Sequence, residues 1–286
     1  MKFANQIIII IFLLSLFSLS SFSQNGEISV TSEDKKIINE IIEKFQAPKN
    51  LSTGELIIKI GHYFLETPYV SHTLEVNSDE KLVVNLREMD CTTFAENCLA
   101  LARTVKNTNP DENTFFDELR TIRYRSGLID RYPSRLHYFS DWIYENARKK
   151  IVRNITAKSG GVSKKIELNF MSTHPDSYSV LRLHPEFISE IAKQEKTISG
   201  RQFKFIPESK LGKYEKKIKN GDIIGISTDI AGMDIMHVVI AFWKNDKLHI
   251  LHASQSKGKV LVSEETLYEY LITSKKATGI VIARPN

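Results

Sequence analysis

The sequence predicts an α+β fold, and three observations carry that prediction. In the first half apolar residues recur at helical spacing behind N-cap residues; from about Ile166 onward short β-branched and aromatic runs take over; and no repeat or low-complexity linker divides the chain. Helices first and strands later indicate α+β rather than alternating βαβ units. Residues 24–286 are expected to form a single domain with a distinctive central segment around 111–150.

The elements follow in order. Lys2, an apolar stretch from Ile7 to Phe17, and the serines Ser18, Ser20, Ser21 and Ser23 read as a signal peptide over residues 1–23, cleaved after Ser23. The polar flank that follows argues against a membrane anchor, and no cysteine stands where a lipid would be attached. The protein is therefore expected to be exported, to the periplasm, with no stable membrane insertion after cleavage. About 260 residues remain, enough for a proper core.

Ser32 precedes an amphipathic helix carrying Ile37, Ile38, Ile41, Ile42 and Phe45, which Pro48 ends. Ser52 and Glu55 form a capping box before a second helix with Leu56, Ile57, Ile60 and Phe64, which stops before Pro68. Asp90 is the N-cap of a third, whose stripe is Phe94, Cys98, Leu101 and Val105. Asp111 to Lys150 reads as helical around a turn at Gly127 and is rich in Arg, Tyr and His. The runs Ile166–Met171, Gln202–Ile206, Asp222–Ile226, His237–Trp243, Leu248–His252, Val260–Val262 and Gly279–Ala283 read as strands of a mainly antiparallel sheet.

The formal charge of +5 comes from basic residues that look scattered along the chain, a solvated surface. Nucleic-acid binding would need a basic stripe with interleaved aromatics, and none is evident. The mild positive charge suits contact with an anionic cell wall. Of the two cysteines, Cys91 and Cys98 fall about 10 Å apart along one helix, too far for a disulfide. An exported protein that keeps free thiols needs a reason for them.

Cys91 occupies the first turn of its helix, where unpaired N–H groups and the helix dipole are expected to lower the thiol pKa. Cys98, on the apolar stripe, reads as core. A cysteine nucleophile needs a base and a group to orient it. A hairpin turn centred on Asn245-Asp246 sets His237 opposite Ser254 and diagonal to His252, so both histidines share one face within side-chain reach. A one-residue slip would separate them. Spacing alone also allows two strand-end histidines that merely share parity. Asp234, in the loop leading to His237, either binds substrate or is a turn aspartate. Asp90 has its capping role in any case.

Thr67-Pro68-Tyr69, Asp90-Cys91-Thr92-Thr93-Phe94 with Glu96, His237-Val238-Val239-Ile240 and His252-Ala253-Ser254 together resemble the NlpC-type cell-wall cysteine amidases. Phe64 to Val70, Arg123-Tyr124-Arg125, Tyr132 to Tyr138 with Asp141-Trp142, and Gly232-Met233-Asp234 resemble one branch, the N-acetylmuramoyl-L-alanine amidase-like family. The likeness runs from about residue 55 to the C-terminus. Glu66 stands where Gly is expected and Met233 where Leu is usual; the first could reshape the cleft edge.

The resemblance implies a papain-like core with Cys91 as nucleophile, His237 as general base and His252 orienting it. It places Tyr69 beside Cys91, where its hydroxyl could help hold an oxyanion. It makes Tyr132 to Trp142 a sugar-binding wall, with Arg135, His137 and Tyr138 as substrate contacts beside Asp234 and Ser254. The same segment could instead be a salt-bridged structural element. The implied reaction is hydrolysis of the N-acetylmuramoyl–L-alanine amide in peptidoglycan fragments, anhydro-muramyl ones included, with no cofactor and no metal.

Three rivals stand beside it. A γ-D-glutamyl–diaminopimelate endopeptidase would use the same triad. A zinc amidase would need three ligands, for which His237, His252 and Asp234 could be imagined. A non-catalytic peptidoglycan-binding protein would keep the fold without the chemistry.

Overall fold

The computed structural model describes residues 28–46, 50–77 and 79–286. The expected signal peptide and the helix-ending Pro48 lie outside them. The first helix, α1 (Ser32–Phe45), is capped by Thr31 in a capping box with Asp34. Helix α2 (Thr53–Tyr63) starts in the Ser52–Glu55 capping box. Helix α3 (Cys91–Val105) starts at Asp90, whose Oδ1 accepts the Thr93 N–H at 2.8 Å while Thr93 Oγ1 accepts the Asp90 N–H at 2.9 Å. The buried Asp34 carboxylate accepts the Leu86 N–H at 2.9 Å and the Arg87 Nε–H at 3.1 Å, tying α1 to the segment that delivers Cys91. The central segment forms α4 (Glu112–Arg123) and α5 (Phe139–Arg148), with single 3-10 turns between them.

Two short strands, β1 (Ile28–Ser29) and β2 (Leu82–Val83), pair in parallel apart from the main sheet. The main sheet has eight strands: β3 (Val152–Asn154), β4 (Val162–Lys164), β5 (Phe203–Pro207), β6 (Ile223–Thr228), β7 (Ile235–Lys244), β8 (Lys247–Ser254), β9 (Lys259–Thr266) and β10 (Ala277–Pro285). Its path is β4-β5-β10-β6-β7-β8-β9, with β3 also against β10, and every pairing is antiparallel. The molecule is thus mixed α+β. Among the described residues no helix is long and apolar enough to cross a membrane.

Ile166–Met171 is not a strand. Leu168 makes one isolated bridge to Gly232, whose carbonyl accepts the N–H groups of Asn169 and Phe170, and the chain then turns into α6 (Phe170–Thr173). The strand-rich half also holds α7 (Ser179–Leu183), α8 (Glu186–Ser199), α9 (Glu208–Tyr214) and α10 (Leu267–Thr273), which the β-branched runs between them masked. The basic residues are less evenly spread than the sequence implies, since many gather along one flank of α5.

The sheet is covered on both faces, which explains its nearly unbroken apolar runs. Val238, Ile240, Leu251 and Ala253 pack with α1 to α5; Val239, Ala241, Leu248 and Ile250 pack with Leu211 of α9 and Leu267 and Leu271 of α10. Gly61 of α2 lets that helix close on β8, because a Cβ there would lie 2.5 Å from Leu251 Cδ2.

Helix α3 is fixed in the core by a buried ion pair. Glu96 Oε2 accepts the Arg123 Nε–H at 2.7 Å, Glu96 Oε1 accepts the Trp142 indole N–H at 3.1 Å, and Arg123 Nη1 donates to the Val83 carbonyl at 2.6 Å. All three side chains are buried, so removing one partner strands a charge. Glu96→Ala should therefore cost about 3–5 kcal/mol in urea unfolding. A loss below about 1 kcal/mol, the scale of surface pairs, would refute the assignment.

Candidate active site

The β7–β8 hairpin sets the site's geometry. Asn245 (φ 49°) and Asp246 (φ 58°) make the two-residue turn, and the ladder runs Lys244–Lys247, Phe242–His249, Ile240–Leu251, as the sequence predicts. It stops at Ile240–Leu251, so His237 and Ser254 are not paired. Beyond that point the imidazoles bridge the opening, with His237 Nε2 2.7 Å from His252 Nδ1. Opposite, β6 pairs Ile226 with His237 and Ser227 with Ile235, so Met236 is the extra residue of a bulge.

Strand parity puts both histidines on the α10 side, and Tyr270 of α10 packs on them, 6.1 Å from His237 and 6.0 Å from His252 between ring centroids. Helix α3 packs on the opposite face and brings Cys91 to the same sheet end. Cys91 and His237 line one cavity of about 220 Å³. The thiol is half-buried, 3.9 Å from Thr92 Oγ1 and within reach of the Val238 N–H, and makes no hydrogen bond to His237. Looser contact between nucleophile and base than in a reacting complex is usual for an unliganded site.

Burial dominates the protonation states. Burial, with the Asp90 carboxylate adding to it, pushes the Cys91 thiol up to about 11, against the Val238 N–H, which favours thiolate. The dipole-lowered pKa expected from the helix start is not realised, because desolvation outweighs it. Burial pushes His237 down to about 3, with its neighbour His252 adding to the shift, and His252 down to about 4, where Glu265 opposes it. At neutral pH the trio is a thiol and two neutral imidazoles. If His237 is to accept the thiol proton at Nδ1, its Nε2 carries hydrogen and donates to His252 Nδ1, which leaves hydrogen on His252 Nε2.

Tyr69 lies beside Cys91. Its backbone N–H donates to the Gly258 carbonyl at 2.8 Å, and bridges Pro68–Lys259 and Tyr69–Met89 stitch it between β9 and the N-cap of α3. Burial first, then charge at Cys91 and Asp90, pushes its phenol up to about 12, so the hydroxyl remains a donor. His137, Tyr138 and Asp234 line the Cys91 cavity. His137 Nε2 donates to the Tyr132 carbonyl at 3.0 Å, and burial followed by the Arg135 charge drives its pKa down to about 3. The Tyr138 hydroxyl donates to Glu195 Oε1 at 2.7 Å.

Asp234 accepts the Ser140 N–H of the first turn of α5 at 2.6 Å on Oδ2 and the Ile235 N–H at 2.8 Å on Oδ1. It thus joins the α5 N-terminus to the loop before His237. Ser254 lines an adjoining cavity of about 490 Å³ that shares Met236 and His237 with the first. Arg135 is not brought to either cavity. Its guanidinium grips Glu80 at 2.9 and 2.7 Å and covers the Tyr132 ring, the salt-bridged structural element that the sequence left open. No group of three His, Cys, Asp or Glu among the described residues is arranged to ligate a metal.

Sequence reasoning missed Tyr270, Met236, Phe170 and Tyr178, whereas Phe139, which also lines the Cys91 cavity, falls within the Tyr132 to Trp142 wall it singled out. Thr266-x-x-Glu269, a capping box, marks the helix bearing Tyr270, but nothing in the sequence aims that ring at the histidines.

Fold and site together define an α+β protein with a helix-start thiol and a hydrogen-bonded imidazole pair at one sheet end. The chain belongs to the N-acetylmuramoyl-L-alanine amidase-like (AmiA-like) family, whose pattern its residues 59–280 match. A crystal structure of an N-acetylmuramoyl-L-alanine amidase from Bacteroides uniformis is similar at 38% identity and TM-score 0.79, over 82% of this chain and 99% of that one. A Bacteroides fragilis protein provisionally named a xylanase is 42% identical, TM-score 0.76, over 79% of this chain and 99% of that one. A Legionella pneumophila protein shares the fold at 20% identity and TM-score 0.67, over 88% and 95%. Comparison with curated proteins gives no match.

A neutral thiol has a measurable signature. Iodoacetamide labelling of Cys91 should speed up about tenfold per pH unit from pH 7 to 10, and Asp90→Asn, which keeps the cap, should label faster at each pH. A rate already at its plateau by pH 6 would instead reveal a thiolate–imidazolium pair.

Proposed function

We propose that this protein is an exported, periplasmic cysteine amidase with a papain-like, NlpC-type core, cutting the amide between the lactyl group of N-acetylmuramic acid and L-alanine in soluble peptidoglycan fragments. The observation that carries the reading is a helix-start cysteine sharing a cavity with a histidine that is itself held by a second histidine. The family and the 38% identical amidase support the bond chosen.

In the proposed cycle the Cys91 proton passes to His237 Nδ1 as Sγ attacks the lactyl carbonyl. The Cys91 backbone N–H and the Tyr69 hydroxyl hold the oxyanion. Collapse breaks the C–N bond, and His237 returns the proton to the leaving amine of L-alanine. Water, deprotonated by His237, then hydrolyses the muramoyl thioester and frees Cys91. His252 keeps His237 in the required tautomer. Two cavities meeting at His237 give the two halves of a substrate opposite sides of the scissile bond.

The test is product mass after incubation with a disaccharide-tetrapeptide. Free stem peptide and intact disaccharide are expected from the native enzyme, and at least a thousandfold less, roughly, from Cys91→Ala. Cleavage after D-glutamate would mark a γ-D-glutamyl–diaminopimelate endopeptidase instead, and intact substrate would leave a binding protein.

The pH profile should follow the buried groups. Since burial favours neutral imidazole, kcat/KM should hold nearly constant from pH 8 down to about 5 and fall only near pH 4, where His252 and then His237 gain protons. Half-loss at pH 6.5 would mean an exposed, unshifted base.

A further inference from the structure

On the flank of α5 turned away from Cys91 lie two abutting cavities, of about 380 and 710 Å³, that share Ala147 and Asn154. Neither shares a residue with the cavities at Cys91 and His237. Nine of their lining residues are Lys or Arg, and none is Asp or Glu. Arg148, Arg201 and Arg284 are paired with Glu145, Asp141 and Asp222. Arg153, Lys158, Lys204, Lys216 and Lys219 have no ion-pair partner among the described residues, and all but Lys204 are exposed. Such a one-signed groove repels cations and concentrates anions.

The walls narrow the anion's class. Asn154 and Gln202, both exposed, offer amide groups between the charges, and Ile143, Ile166 and Phe203 give an apolar side. The Tyr144 ring, the wall's exposed aromatic, has one face taken by the Arg201 guanidinium 3.8 Å from its centroid, so the groove offers at most a single exposed aromatic face rather than the succession of stacking platforms that single-stranded nucleic acid uses. We infer that this groove is an exosite for an acidic polysaccharide, a chain whose repeating carboxylates pair with the free cations while its hydroxyls meet the amides. It would hold the protein on an anionic glycan while leaving the Cys91 cavity open. The inference does not depend on the reaction proposed above.

The probe is a fluorescein-labelled oligogalacturonate, titrated by anisotropy at several salt concentrations. Binding is expected to weaken with salt, and the combined Arg153→Gln, Lys158→Gln, Lys216→Gln and Lys219→Gln variant should bind at least tenfold more weakly with an unchanged Tm. A charge-matched control, Lys193→Gln, Lys196→Gln, Lys244→Gln and Lys247→Gln, should lose less than twofold. Equal losses in the two variants would mean diffuse net charge and would overturn the groove. So would the absence of binding to the native protein. Single-stranded DNA bound as tightly as oligogalacturonate, and lost in the same variant, would overturn the glycan assignment in favour of nucleic acid.

Discussion

The register of the β7–β8 hairpin is the constraint on which the site depends. Two residues in left-handed conformation, Asn245 and Asp246, set it, and every pair from the turn to Ile240–Leu251 keeps it. A slip by one residue would move the apolar side chains of β8 to the wrong cores and send His252 away from His237. With both faces of the sheet buried, such a slip is costly in two cores at once, so packing and turn agree on one answer. The catalytic constellation proposed here is a by-product of that agreement, completed where the ladder ends and the bulge at Met236 opens the sheet.

Desolvation decides what the constellation is chemically. The N-terminus of α3 and the Val238 N–H both favour a thiolate, yet burial and the Asp90 carboxylate outweigh them. The same burial keeps His237 and His252 neutral. A neutral imidazole is a competent proton acceptor and a poor counter-ion, so the site fits general-base activation at the moment of attack rather than a stored ion pair. The capping carboxylate that starts the helix also protects the thiol from ionising early.

Much of this was legible in the sequence because it is local. A capping box named the start of α2 and an N-cap aspartate that of α3, hydrophobic spacing named the buried faces of the first helices, and the Asn245-Asp246 turn fixed which histidine meets which. What could not be read depends on distant partners. Arg135 sits in a motif that looks like a sugar contact, but Glu80, 55 residues away, holds it. Asp234 looks like a turn residue and instead bonds the first turn of α5 across 94 residues. Ile166–Met171 has the composition of a strand, but the Gly232 carbonyl draws its end out of any ladder. Burial strong enough to reverse the helix-dipole expectation at Cys91, and the gathering of basic residues into one groove, exist only once the layers have assembled.

The central claim is that Cys91 carries the acyl half of the substrate. Acid-quenching the enzyme within milliseconds of mixing with a muropeptide, and weighing the Cys91 peptide, tests it most directly. The account predicts a thioester adduct with the mass of the muramoyl sugar and no amino acid. An unmodified Cys91 during turnover, or an adduct that includes alanine and glutamate, would contradict it.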